Sequence, residues 1–306
     1  MPFLTKAAEQ LRREIEALSN GHQPEVVEVP AATVARSRVV VDDYESAWEE
    51  AGDLLQPLAA GEIDRDHVVA EMGELVGGSR ERHGNWLGSL VPNDEEAGYL
   101  MGRELIALSE GRPAELLAFS GVKQTPSSEL RLAGLHRALA EAPHVRLVQA
   151  VHGEWQQQRA YEQAASLLPR YPDVSLIWAA NDEMAFGVMR AAGELGRALR
   201  YAALNNSERA LQARIDGRIE VLAAGHFLLG ACALVMLNDH ARGFDFIERG
   251  GKDQVAHLLR LIDRAQARTL LERLSRAEIG MDFRRFSSEL QPKQQRYDCS
   301  VARLLD

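Results

Sequence analysis

With 306 residues, 46% hydrophobic and 26% charged, the chain has the size of two lobes or one large α/β domain and enough apolar material for a sizeable core. Its formal net charge of −10, without a Lys/Arg cluster to neutralise a run of phosphates, argues against a nucleic-acid partner. No apolar stretch reaches the roughly 18 to 20 residues of a bilayer span, and the opening MPFLTKAAEQLRREIEALSNG lacks the apolar centre of a secretory signal.

In chain order, residues 1–80 predict a helix stopped at Gly21, a weak strand EVVEV, a stronger strand RVVVDD and a helix ending at Gly77 and Gly78. VGGSRERHG (76–84) reads as a seam. From Pro92 the pattern becomes regular, because short β-rich runs alternate with stretches of helical period, which argues for βαβ units on a parallel sheet. A helix is expected over 93–111, opened by an Asn-Asp cap and stopped at Gly111. Strands are expected over 114–121, 145–155, 174–182, 201–207 and 219–227, each followed by a helix. Their ends carry polar residues: Ser120, His152, Asn181, Asn205 and His226. In an open parallel sheet the ligand crevice lies outside the carboxyl ends of the strands, so a binding site is expected there.

The residue types at those ends suit hydrogen bonding to a polar ligand, since an Asn side chain both donates and accepts in a fixed plane. Asn181-Asp182 also has a plainer reading as the cap of the helix that follows, with Asp182 favoured by the helix dipole. Trp178 sits inside a strand and reads as core; Trp155, at a strand end, offers a face for stacking, and so does Trp86. Cys232 and Cys299 are the only cysteines, and their spacing suits neither a zinc site nor a disulfide framework. Two buried or half-buried thiols are expected, with a single disulfide as the alternative. No Gly-x-Ser-x-Gly elbow or His-Glu-x-x-His pair occurs, so neither an enzyme nor a bound cofactor or metal is expected.

The segments NWLGSLVPNDEEAGYLMGRELI, TPSSELRLAGLHRAL, RYPDVSLIWAANDEMAFGVMRAAGELG, DGRIEVLAAGHF and GFDFIERGG make residues 80–306 resemble type I periplasmic binding proteins, the ribose-binding-like solute receptors of ABC importers and sensory systems. The resemblance implies two doubly wound parallel-sheet α/β lobes joined by a hinge and closing on a small polar ligand, a sugar or polyol. It also implies an ABC permease or sensor protein as partner, and a periplasmic location. The implied first lobe comprises residues 1–92 with about 228–265, and the ligand-binding lobe 93–227 with about 266–306. Carried over position by position, Asn181 falls where such receptors place a ligand-binding Asn, and Asn205 where they place a hydroxyl-binding Asp. His226 falls at a hinge position that often holds Gln, and Glu129 near a position held by Arg in ribose receptors. Trp155, Ser128 and Asp94 complete the candidate set, whereas Arg131 matches a helix signature that is more often structural.

Residues 27–78 instead resemble a fragment of the ornithine cyclodeaminase and mu-crystallin family, which makes the first lobe atypical. The alternatives that this leaves are a cyclodeaminase-related NAD-binding fragment or a chimeric scaffold without ligand affinity. No Gly-x-Gly-x-x-Gly turn follows a strand there, so a dinucleotide site is not expected. Asp42 and Asp43 read as a solvated strand end, or as an imitation of the Asp that receptors place on a first-lobe strand.

Overall fold

The computed structural model describes residues 89–306, apart from 252, 276–281, 289, 291–295 and 306. The expected strands, helices, seam and cyclodeaminase-like segment before residue 89, together with Asp42, Asp43 and Trp86, lie outside the described residues.

The regular alternation from Pro92 onward folds as a doubly wound sheet. Its elements are α1 (Asp94–Ala107), β2 (Ala114–Ser120), α2 (Pro126–Ala140), β3 (Val145–His152), α3 (Gln157–Arg170), β4 (Val174–Ala179), α4 (Asp182–Glu194), β5 (Arg200–Leu204), α5 (Glu208–Asp216), β6 (Val221–Ala224) and α6 (Leu228–Ala241). A strand β8 (Arg260–Ile262) completes a six-stranded sheet of order β3-β2-β4-β5-β6-β8. Every pairing in it is parallel except β6 with β8. A parallel sheet with helices on its faces buries both sides of its strands. That is why β4 and β6 read as nearly unbroken apolar runs, with Trp178, Ile177 and Ala223 at 1% exposure or less.

A second, two-stranded sheet pairs β1 (Ser89–Pro92) with β7 (Asp253–Ala256) in parallel, Val91 opposite Val255. The stretch expected to return to the first lobe over about 228–265 is therefore divided: β7 joins β1, while β8 lies in the larger sheet. Between them Asn93 stitches two crossing segments together. Its Oδ1 accepts from the Leu259 N–H at 2.9 Å, and its Nδ2 donates to the Leu259 carbonyl at 3.2 Å and to Glu96 at 2.7 Å. The expected capping role is corrected here, since Asn93 makes no side-chain cap bond to α1. A buried backbone pair at Leu259 claims the amide instead.

Helices α1 and α2 pack at very short range. A Cβ on Gly98 would collide with the Arg131 carbonyl, and one on Gly134 with the Glu95 carbonyl. The contact brings Arg131 of α2 to Asp94 of α1 in a buried ion pair, Nε to Oδ1 at 2.6 Å, with side-chain exposures of 4% and 5%. Beyond β8, α7 (Arg264–Ser275) starts with a reciprocal cap between Asp263 and Gln266 and packs on α5.

The segment after α7 is pinned to α6. Asp239, fully buried, accepts from Ser287 Oγ at 2.7 Å, the Ser288 N–H at 2.7 Å and Tyr297 Oη at 2.9 Å. Burial, together with the Asp239 charge that the phenol faces, pushes Tyr297 up to about 12. The expectation of two free thiols is overturned: Cys232 of α6 and Cys299 form a disulfide with Cα atoms 5.9 Å apart. Tertiary packing of this segment on α6 brings together residues whose spacing announces nothing.

Candidate functional site

The chain leaves β2 for β3 on one side and returns to β4 on the other, so the strand order reverses between β2 and β4. Such a reversal opens a crevice at the carboxyl edge of the sheet. Ser120-Gly121 and Ala180-Asn181 form its two lips.

Asn181 has extended backbone geometry and caps α4, its Oδ1 accepting from the Met184 N–H at 3.0 Å. Its Nδ2 donates to the Trp155 carbonyl at 3.1 Å. The plain reading of Asn181 as a cap is thus correct, and the same amide also ties the end of β4 to the loop after β3. One amide hydrogen remains for a ligand.

That loop is unusual. The strand ends at His152, three residues before the expected boundary, and Glu154 and Trp155 both adopt left-handed backbone, with φ of 53° and 63°. Two consecutive non-glycine residues of this kind are costly and mark places where the surroundings dictate the backbone. Here they set the half-buried Trp155 indole against Gly121, in the space a Cβ would fill, with the Arg131 guanidinium 5.4 Å from the ring centroid. Arg131 also donates to the Ala180 carbonyl at 2.7 Å. The cation therefore holds the Ala180 lip directly and lies beside the indole that seats on the other.

At the end of β5, Asn205 is half-buried. Its Nδ2 donates to Asp182 Oδ1 at 2.8 Å, while its Oδ1 accepts from the Asn206 N–H at 2.9 Å. Asp182, at 0% exposure, accepts Ser207 Oγ on its other oxygen. His226 follows β6, exposed, just after Gly225, whose φ of 126° and close approach to the Leu258 carbonyl only glycine tolerates. Desolvation and the Arg131 charge lower the pKa of His226, with Asp94 opposing.

The structure thus gathers Trp155, Asn181 and Asn205 at the edge, with His226 within the field of Arg131 and Asp94. It separates the rest of the candidate set. Asp94 is sealed in the ion pair with Arg131, and Ser128, at 0% exposure, shares a 2.9 Å hydrogen bond with Ser120 Oγ. Both side chains are almost wholly shielded from solvent in this arrangement. Glu129 is exposed and closes its own loop by accepting the Gln124 N–H at 3.1 Å. Sequence reasoning did not find the Asp182–Asn205–Ser207 group, or the seat that Gly121 gives the indole; contacts between separate strand ends leave no periodic trace. Among the described residues no group of His, Cys, Asp and Glu is arranged to hold a metal ion, and no helix is long and apolar enough to cross a membrane.

A doubly wound lobe with amides and an indole along its carboxyl edge is a ligand-binding architecture. The family can be stated: residues 87–244, just over half of the chain, match the model of a periplasmic binding protein domain, and the chain belongs to that family. Among solved structures it is similar to a periplasmic sugar-binding protein from Pseudomonas fluorescens, with 44% identity and a TM-score of 0.69, over 79% of this chain and 80% of that one. Among curated proteins it is similar to the D-allose-binding periplasmic protein of Escherichia coli (strain K12), 33% identical over 27% of each chain. The D-ribose/D-allose-binding protein of Pseudomonas aeruginosa is 27% identical over 42% of this chain and 40% of its own. The matches thus span well under half the length of these curated relatives.

Proposed function

We propose that the chain is a solute-binding receptor of an ABC-type importer or sensor, and that it takes a small neutral polyhydroxy ligand, a sugar, between two closing lobes. The observation that carries this reading is the grouping of the half-buried Trp155 indole with the amides of Asn181 and Asn205 at the strand-order reversal. An aromatic face suits the C–H face of a sugar ring, and each amide keeps one hydrogen and a lone pair for hydroxyl groups. Asn205 in place of a hydroxyl-binding Asp offers an uncharged amide, which suits the hydroxyl groups of a neutral ligand.

The lobes in this reading meet at Pro92–Asp94, at Gly225–Phe227 and near Leu258–Arg260, the segments through which the chain passes between its two sheets. Residues 27–78 enter it as the atypical, cyclodeaminase-like part of the first lobe. A permease or sensor would read the closed form, whose population the ligand raises through its differential affinity. A disulfide fits a compartment that is oxidising, as the periplasm is.

Isothermal calorimetry against D-allose, D-ribose and a panel of neutral sugars and polyols tests the reading. Heat is expected from at least one of them, with a loss of about tenfold or more in affinity on Asn181→Ala. No heat from any sugar, or an Asn181→Ala variant that binds like the parent, would sink it.

A further inference from the structure

We propose that Asp182 is a positioning residue of the sugar site: its buried carboxylate dictates which way the Asn205 amide points. The inference rests on the receptor reading above and adds a group that does not meet the ligand itself.

Asp182 is fully buried and both of its oxygens are engaged, one by Asn205 Nδ2 at 2.8 Å and the other by Ser207 Oγ. An ionised carboxylate can only accept, so the nitrogen end of the Asn205 amide has to face it. On the opposite side the Asn206 N–H, which can only donate, faces Asn205 Oδ1 at 2.9 Å. Turning the amide over would set oxygen against carboxylate and NH2 against N–H, losing two hydrogen bonds and creating two repulsive contacts. The amide is therefore locked in one sense. Its remaining hydrogen and lone pair occupy fixed positions before any ligand arrives, which is how preorganisation raises affinity.

Asp182 stands beside Asn181, whose amide is fixed by its own pair of contacts to the Met184 N–H and the Trp155 carbonyl. One two-residue corner thereby contributes a contact from its own strand end and orients the contact of the next. Ser207 supplies a graded comparison. Its hydroxyl reaches the other carboxylate oxygen and caps α5 by accepting from the Ala210 N–H at 3.1 Å, touching the carboxylate but not the Asn205 amide.

The experiment compares the parent with Ser207→Ala, Asp182→Asn and the exchange Asp182→Asn/Asn205→Asp, measuring calorimetric affinity for D-allose and D-ribose together with urea unfolding. Ser207→Ala leaves the 182–205 hydrogen bond in place, so it is expected to lose stability and to lose less affinity than Asp182→Asn. Asp182→Asn is expected to lose about tenfold or more in affinity, because only the Asn206 N–H then opposes the turned-over amide. The exchange rebuilds the 182–205 hydrogen bond with its direction reversed, so stability is expected to recover. Unchanged affinity in Asp182→Asn, or a loss no greater than that of Ser207→Ala, would show a merely structural carboxylate and overturn the proposal. A folded parent silent toward every sugar would overturn the receptor reading and this inference with it, an outcome distinct from the other two.

Discussion

The indole of Trp155 lies against Gly121 in the space that a Cβ on residue 121 would need. Gly121→Ala is therefore expected to expel the ring from its seat, at a cost of about 1–3 kcal/mol in stability for the overpacking and with a loss of sugar affinity. Trp155→Leu in the Gly121→Ala background should recover much of the stability and none of the affinity, which urea unfolding and calorimetry read separately. A loss in the double variant equal to the sum of those of Gly121→Ala and Trp155→Leu made singly would show that the two residues are not coupled.

Asp94 and Arg131 make a second linked pair, at 2.6 Å and almost without solvent. Removing one partner strands a buried charge, so Asp94→Ala is expected to cost about 3–5 kcal/mol. Replacing both by apolar residues, Asp94→Leu with Arg131→Met, should cost much less in chemical denaturation. Because Arg131 also holds the Ala180 carbonyl beside Asn181, either change should weaken ligand binding even where the fold survives.

Glu96 predicts how stability responds to acid. Burial raises its pKa, but hydrogen bonds from His257 and Asn93 and the charge of Arg260 outweigh that and hold it below the ordinary 4.5. A carboxyl group lowered on folding contributes stability above its unfolded pKa and loses that contribution as pH falls through the folded value. Stability should accordingly decline below pH 4.5, and in Glu96→Gln that part of the acid limb should flatten. Superimposable acid profiles for the two proteins would exclude Glu96 as the source.

The disulfide closes a loop of 67 positions, for which chain entropy gives on the order of 4 kcal/mol. Reduction, or Cys232→Ser with Cys299→Ser, should lower the melting temperature while Asp239 keeps its three donors. A melting temperature indifferent to reductant would refute the bond's contribution.

The alternation of β-rich and helical runs from β2 to α6 was legible because β4, β5 and β6 are buried almost throughout and the stretches between strands follow the helical period. The strand ends that line the crevice followed from that alternation alone. The order of the strands did not, since apolar periodicity carries no information about neighbours. At α7 a signal stood in plain view, Asp263 three positions ahead of Gln266, which is a capping box. β8, three residues long, had none. Asn93 shows how a local rule loses to tertiary structure: residue type and position favoured a cap, but the backbone of Leu259, 166 positions away, offered the amide two bonds. Asn181 kept its cap because the Met184 N–H was the donor already in reach, and its second contact, to the Trp155 carbonyl, depended on a loop whose left-handed backbone the residues EW do not advertise.

The antiparallel strand β8 has a practical meaning for anyone who would cut this chain. It covers the open side of β6, yet it lies beyond residue 244, where the family match stops. A fragment trimmed to that match would carry β6 as a bare edge, a template for pairing between molecules, and would forfeit the helix that packs on α5. Expression boundaries drawn by homology alone would thus turn a finished sheet into a sticky one, and a fragment worth purifying also has to reach past Cys299, which the disulfide ties to α6.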